Sequence, residues 1–474
     1  MQSFTTLIHR IYSRRRHPCR PVAPTKGDPM ALAHILATTL ASLTVLAASP
    51  APPTPVTVEI AKASSGSVER GFAGFSYEKD RVGAGLFDAK DTDLVKLFRR
   101  LGPSVLRLGG NLGDQVNWNP AGAGGSDKEV APADVARLAG FVKATGWRVI
   151  YGINLKTNTP ANAADEAEFA AHALGANVIA FEIGNEPNVY TTEAAYEASF
   201  EAYTAAIRAK VPDAVFDGPG QADSTAWAST FAAHEKDKGL RLLSTHLYIG
   251  NNTTASIPAL LASNTSGRLP NNEAAMQNVT VANGLPGWRI TESNSYFHGG
   301  AKGVSDVQAA ALWSLDYMHG IAANHGDGVN FHGGTSSQFP LTYSPIVFDG
   351  LTPIGVQGVY YGQLLWKLAG TGSLHAATVT GAPNVTAWGI GRNVVVNNTG
   401  TTAIHVTVKL STTAHKAAEY LLTAPSLDST AISLAGATVG KGGQFAPRPK
   451  HVTVRGGTVT VDLPAGSAAL VATS

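Results

Sequence analysis

The segment Phe181-Glu182-Ile183-Gly184-Asn185-Glu186-Pro187-Asn188 runs from an apolar strand into an Asn-Glu-Pro corner. Proline lacks a backbone N–H and has a fixed φ, so the strand stops there and Glu186 is left at its tip, on a rim rather than in a core. Trp288-Arg289-Ile290-Thr291-Glu292-Ser293-Asn294-Ser295 repeats the device with Glu292. Two carboxylates delivered by two strand tips are the minimum equipment for opening a glycosidic bond. In the retaining form of that reaction one carboxyl stays protonated, the other stays ionised, and they stand about 5–5.5 Å apart. Repulsion and partial desolvation raise the acid's pKa, while hydrogen bonds keep the nucleophile ionised. Glu186 is the better acid/base, because Asn185 beside it can orient a sugar hydroxyl; Glu292 is then the nucleophile.

Strand–helix units must position these groups. Strands are expected at 71–78, 104–110, 148–155, 178–186, 214–220, 242–250, 288–293 and 328–334. Helices are expected near 133–144, 163–174, 191–210, 224–237, 256–264 and 304–323, with an irregular stretch from 264 to 285. Eight such units point to an α/β fold, a (β/α)8 TIM barrel over about 68–360, with Glu186 on the fourth strand and Glu292 on the seventh. An open doubly wound sheet is disfavoured. No glycine-rich phosphate turn follows the first strand, and polar residues end nearly every strand: Glu78, Asn111, Asn154, Glu186, His246 with Tyr248, Glu292 and His332. Beyond about residue 360 alternating Val/Thr runs at 387–391, 393–397, 403–410, 451–454 and 458–463 read as an antiparallel β-sandwich, which the strand at 56–60 in the 54–67 segment is expected to join.

Other strand-end residues join the candidate site. Tyr248 is placed to hydrogen-bond the nucleophile; His246 reads as a rim residue. Glu78 and Asn111 are candidates for holding sugar hydroxyls. Arg107 and Glu182 lie inside strands, where charges need partners, and read as an ion pair below the site that also orients Asn185 and Glu186.

Gly184-Asn185-Glu186-Pro187-Asn188 resembles the acid/base motif of clan A retaining barrel glycosidases. With Phe181-Glu182-Ile183, Leu106-Arg107-Leu108-Gly109-Gly110-Asn111, Thr291-Glu292-Ser293-Asn294-Ser295 and Gly299-Gly300, the chain resembles the heparanases and microbial β-glucuronidases of glycoside hydrolase family 79 over roughly residues 56–474. The resemblance implies a retaining β-glucuronidase with Glu186 as acid/base and Glu292 as nucleophile, and it implies no metal or organic cofactor. A uronic acid needs a receptor for its C6 carboxylate. Converging backbone N–H groups in the turns His298-Gly299-Gly300 and His332-Gly333-Gly334 are candidates, with Tyr296 and Tyr343 as hydroxyl donors; several spacings put Phe297 in place of the tyrosine.

The chain has 474 residues, 15% of them charged, and a net charge of +2, so the whole molecule is no electrostatic trap for nucleic acid. A sulfated glycosaminoglycan would be met locally, by groups such as Arg81, Lys156, Arg289 and Lys302 near the expected rim. No His or Cys spacing for a metal is present. Residues 1–53 read as an export segment: arginines 14–16, an apolar run over 31–48, then small residues and prolines. That run is short for a membrane span, and the only cysteine, Cys19, lies in the part expected to be removed. The expectation is a secreted or periplasmic, bacterial enzyme that cleaves heparan sulfate or a related uronic-acid polysaccharide within the chain. The short Ala/Gly-rich connection from Asn111 to Pro132 is too small to wall off one end of a cleft. The alternatives are an exo-β-glucuronidase on plant or arabinogalactan-type glycans, a neutral-sugar glycosidase such as a β-xylosidase, and a carbohydrate-binding protein without catalysis.

Overall fold

The computed structural model describes residues 53–411 and 413–474, so the expected export segment lies outside the described residues except at Pro53. Among the described residues no helix is long and apolar enough to cross a membrane.

Eight parallel strands close into a barrel: β1 (Ala73–Glu78), β2 (Val105–Gly109), β3 (Arg148–Ile153), β4 (Val178–Ile183), β5 (Phe216–Ala222), β6 (Leu240–Tyr248), β7 (Trp288–Asn294) and β8 (Val329–Gly333), with β8 pairing back to β1. Each is buried on both faces, as a parallel sheet covered by helices must be. The expected helices appear, but the stretch taken as irregular contains a 16-residue helix, Arg268–Asn283. It carries four asparagines and only four buried residues, so its sequence shows little of the apolar periodicity that marks an amphipathic helix. Helix Gly358–Ala369, lying across the expected boundary at 360, packs on Gln308–Ala323.

Eleven further strands form one mostly antiparallel sheet, and two short two-stranded pairs, Asn117–Trp118 with Glu129–Val130 and Ile346–Asp349 with Thr352–Val356, stand apart from it. Thr54–Ile60 joins it between Ile404–Lys409, to which it is parallel, and Gly372–Thr380, to which it is antiparallel; the sheet therefore turns back on itself. Inside lies a separate apolar core of alternating residues, including Val56, Val58, Val394, Val396, Val406, Val408, Val459 and Val461. Alternation every second residue puts these side chains on one face and their Thr and Lys neighbours on the other.

Candidate active site

The C-terminal ends of the parallel strands share one mouth. Glu186 sits three residues past the end of β4, in a corner where Gly184 has φ 82° and Glu186 itself φ 50°. A left-handed conformation at a glutamate costs energy unless its surroundings hold it. They do so here: the Glu186 N–H donates to the Gly220 carbonyl at 3.2 Å. The buried Asp114 carboxylate receives the N–H groups of Leu155 (2.8 Å) and Asn185 (3.0 Å) and the Tyr190 hydroxyl (2.9 Å). Glu292 lies within β7. A carboxylate oxygen from each glutamate and one imidazole nitrogen of His246 all fall within 4.8 Å of one another.

Arg107, fully buried on β2, ties the floor of the site together. Its Nε donates to Glu182 Oε1 at 2.8 Å, Nη1 to Glu292 Oε2 at 2.6 Å and Nη2 to Asn185 Oδ1 at 2.8 Å, and Nη2 also pairs with Glu182. The Tyr248 hydroxyl donates to the other Glu292 oxygen at 2.9 Å. His332, buried on β8, places Nδ1 3.5 Å from Glu292 Oε2 and Nε2 3.8 Å from Glu78 Oε1.

These neighbours separate the two carboxylic acids. Burial, then the charge of Glu292, push Glu186 up to about 8 against the opposing pull of Arg107. Burial alone would raise Glu292 too, but the nearby histidines, Arg107 and the Tyr248 hydrogen bond outweigh it and bring Glu292 down to about 2. At neutral pH the first is a proton donor and the second an anion. Burial and then Arg107 bring His246 down to about 4, so its ring is neutral. A guanidinium only donates, so His246 Nε2, 3.4 Å from Arg107 Nη2, is the acceptor. Nδ1 then carries the hydrogen and donates to Glu186 Oε1 at 3.1 Å. The other Glu186 oxygen is left to carry the acid proton, and the same imidazole N–H stabilises the carboxylate that forms when the proton leaves.

A cavity of about 200 Å³ opens over the pair, lined by Glu78, Asn111, Tyr248, His332, Asp223, Phe297, His298, Phe339 and Tyr343 around the two glutamates. Glu78 is buried and accepts the Leu112 N–H at 2.8 Å. Tyr296, expected at the site, turns away: its hydroxyl donates to the Ser256 carbonyl at 3.3 Å and it lies outside the cavity lining. Gly333 and Gly334 are positions of close packing. A Cβ on Gly334 would lie 2.3 Å from the Tyr77 ring, and the Gly334 N–H already donates to Ser344 Oγ at 2.8 Å, so it is not free to receive a carboxylate. Gly299 and Gly300 have φ of 85° and 79° in a turn beside the cavity-lining His298, and a Cβ on Gly299 would strike the Pro340 carbonyl. His246 is a buried partner of Glu186 rather than a rim residue, and Arg289 lies at the opposite end of the barrel from the expected rim.

Asp114 and Asp223 escaped the sequence reading. Asp223 follows β5 with φ 49° and accepts the Tyr248 N–H at 2.8 Å; only an unusual backbone turn distinguishes it. Glu186, His246 and Glu292 also form a trio close enough to touch one cation, a cluster drawn from three strands that no sequence spacing reveals. Both Glu292 oxygens are already engaged there, by Arg107 and Tyr248, and the guanidinium opposes a second cation.

Residues 392–470 match the glycosyl hydrolase family 79 C-terminal beta domain. A β-glucuronidase of Aspergillus niger is 26% identical over 260 residues, 46% of each chain. One from Neurospora crassa is 24% identical over 263 residues, 46% of this chain and 45% of that one. The matched region thus spans about half the length of these relatives. A 4-O-α-L-rhamnosyl-β-D-glucuronidase from Fusarium oxysporum superposes with a TM-score of 0.72 at 19% identity, over 89% of this chain and 99% of that one, a likeness of fold.

Proposed function

The chain belongs to glycosyl hydrolase family 79, and from that membership we propose that it is a β-glucuronidase acting with retention of configuration. The observation that carries the mechanism is the approach of Glu186 and Glu292 oxygens to within 4.8 Å. Such an approach suits a nucleophile and an acid sharing one anomeric carbon better than the wider separation of about 6.5–9.5 Å between carboxyl groups that admits the water of an inverting enzyme. The Glu292 carboxylate attacks C1 while Glu186 gives its proton to the leaving oxygen, forming a glycosyl ester. Glu186, now ionised, takes a proton from water, which attacks C1 and returns Glu292 as a carboxylate.

The relatives' names supply the sugar: glucuronate. Tyr343, Tyr248 and the 298–300 turn are the candidate receptors for its C6 carboxylate, and Glu78 and Asn111 for its hydroxyls. A second cavity of about 340 Å³ shares Asn111 and Glu186 with the first and includes Lys156 and Tyr190. Lying against the acid, it is the place for the leaving sugar. Cleavage within a uronic-acid polysaccharide such as heparan sulfate is the finer reading and rests on the short 112–131 connection.

Glu292→Gln should retain glucuronide binding and lose turnover by on the order of 10⁴-fold or more. Unchanged turnover on an aryl β-glucuronide would remove the assigned nucleophile. Parallel assays on the aryl β-xyloside, and sizing of products from heparan sulfate and arabinogalactan, decide the sugar and the mode. Faster xyloside cleavage would overturn the uronide, and single glucuronate units as the sole product would overturn internal cleavage.

A further inference from the structure

We propose that the barrel mouth opposite the catalytic glutamates binds a tetrahedral oxyanion, a sulfate or phosphate group. A cavity of about 290 Å³ there is lined by four arginines, Arg70, Arg148, Arg241 and Arg289, against two carboxylates, Glu69 and Asp327. Arg148 opens β3, while Arg241 and Arg289 are the second residues of β6 and β7. The parallel strands therefore bring three of the four to their N-terminal ends, whereas Glu186 and Glu292 belong to the C-terminal mouth.

Arg289 is buried, and its hydrogen bonds go to neutral acceptors. Nε donates to Asn330 Oδ1 at 2.6 Å, Nη1 to the Asp327 carbonyl at 2.9 Å, and Nη2 to the carbonyls of Gly71 and Phe72 at 2.9 and 3.0 Å. Its donors are satisfied but its charge is not neutralised in contact, an expensive state for a buried ion. The Arg148 guanidinium is set over the same Gly71, 3.3 Å from where a Cβ there would stand. Two guanidinium groups thus converge on one glycine. Among the described residues no carboxylate lies within 4.0 Å of Arg70, Arg148 or Arg241. Arg70, Arg148 and Arg241 are exposed around the buried Arg289, and the mutual repulsion of like charges gathered in one cavity is relieved by an anion placed between them. Planar guanidinium forks match the oxygen edges of sulfate and phosphate in pairs, and a doubly charged tetrahedral group suits the excess of arginine over carboxylate. The group is either a free ion or an ester on a larger molecule, and the chemistry that recognises both is the same.

Calorimetric titration of the full chain with inorganic sulfate, inorganic phosphate, a sulfated disaccharide and its desulfated counterpart, at ionic strength fixed with chloride, tests this. The expected result is saturable binding of a free ion or of the sulfated sugar, weakened by about tenfold or more in Arg148→Gln/Arg241→Gln. Tighter binding of the sulfated sugar than of the free ions identifies an ester as the source; binding of the ions alone identifies a free anion. The melting temperature serves as the fold control, so the outcome does not depend on which sugar the enzyme cleaves. Arg241→Gln alone takes the place of the double variant if the latter does not fold. No saturable binding, or equal affinity in a folded variant, overturns the proposal.

Discussion

At the scale of single residues, two glutamates of the same intrinsic acidity are driven apart by what surrounds them. Glu186 is held protonated up to about pH 8 by burial and by its neighbour's charge, whereas Glu292 is ionised above about pH 2. Turnover needs both states together, so kcat/KM should be level through the acid and neutral range and fall as pH rises through about 8. Replacing Glu186 with Gln should lower kcat by about 10² to 10⁴-fold for a sugar leaving group. The loss should be smaller for a nitrophenyl group, which departs without a proton, and the alkaline fall should disappear. An alkaline limb that survives in the variant would assign that titration to another group. Stability follows the same linkage. The folded state holds the Glu186 proton more tightly than the unfolded chain, so this contribution is complete below the ordinary carboxyl value of 4.5 and is lost as pH rises through about 8. Glu186→Gln should therefore gain melting temperature relative to the parent as pH is raised through that window. The depressed Glu292 acts in the opposite sense, stabilising above 4.5 and losing that stabilisation as pH falls toward about 2.

At the scale of elements, the chemistry depends on how each strand ends. Glycine at 110, with φ 73°, lets the chain leave β2 beside Glu78; a Cβ there would stand 2.2 Å from Glu78 Oε2. Gly110→Ala should combine backbone strain of about 1–3 kcal/mol with displacement of Glu78. If Glu78 holds a sugar hydroxyl, KM for the aryl glucuronide rises more than kcat falls; an unchanged KM in a folded variant would remove Glu78 from the substrate contacts. The same strand ends explain what could be read in advance. A carboxylate followed by Pro187 announces itself, because the stop and the side chain are adjacent in sequence, and the barrel strands were visible as apolar runs at regular intervals. The partners of the glutamates were less visible. Asp114, His246 and His332 gain their meaning only when strands distant in sequence close into one ring. Tyr296 was misplaced because nearness in sequence to the 298–300 turn does not set the direction of a side chain two residues past the end of β7, which turns toward Ser256. Arg289 was misplaced because it is the second residue of β7 and so lies at the N-terminal end of the strand, whereas the rim is built from the C-terminal ends.

At the scale of the whole molecule, the wrapped sheet is built into the barrel's helical wall. Trp388, fully buried, stacks on His319 at 4.5 Å between ring centres and belongs to the same apolar cluster as the barrel helices. Polar ties cross the same boundary: Gln308 Nε2 donates to the Gly466 carbonyl at 3.0 Å, Asn397 Nδ2 to the Leu312 carbonyl at 3.0 Å, and the Thr386 hydroxyl to Asp316. Two strands of the sheet, Thr54–Ile60 and Gly66–Val68, precede the barrel in the chain and the rest follow it, so both ends of the barrel segment are fastened to one partner. Helices Gln308–Ala323 and Gly358–Ala369 have 13 and 10 buried residues, far more than one barrel-facing stripe requires, and would expose much of that surface if the sheet detached. Barrel and sheet should therefore unfold together. Trp388→Ala, removing the largest side chain at the junction, should cost about 3–5 kcal/mol and lower the melting temperature of both parts at once. At temperatures well below that melt, KM and kcat should stay at the parent's values, because the residue is remote from the glutamates. Circular dichroism of the helices and near-ultraviolet signals of the sheet, followed through one denaturant titration, give the readout. Two separated transitions in the parent protein would show that the sheet is an independent appendage and that its contacts do not support the barrel.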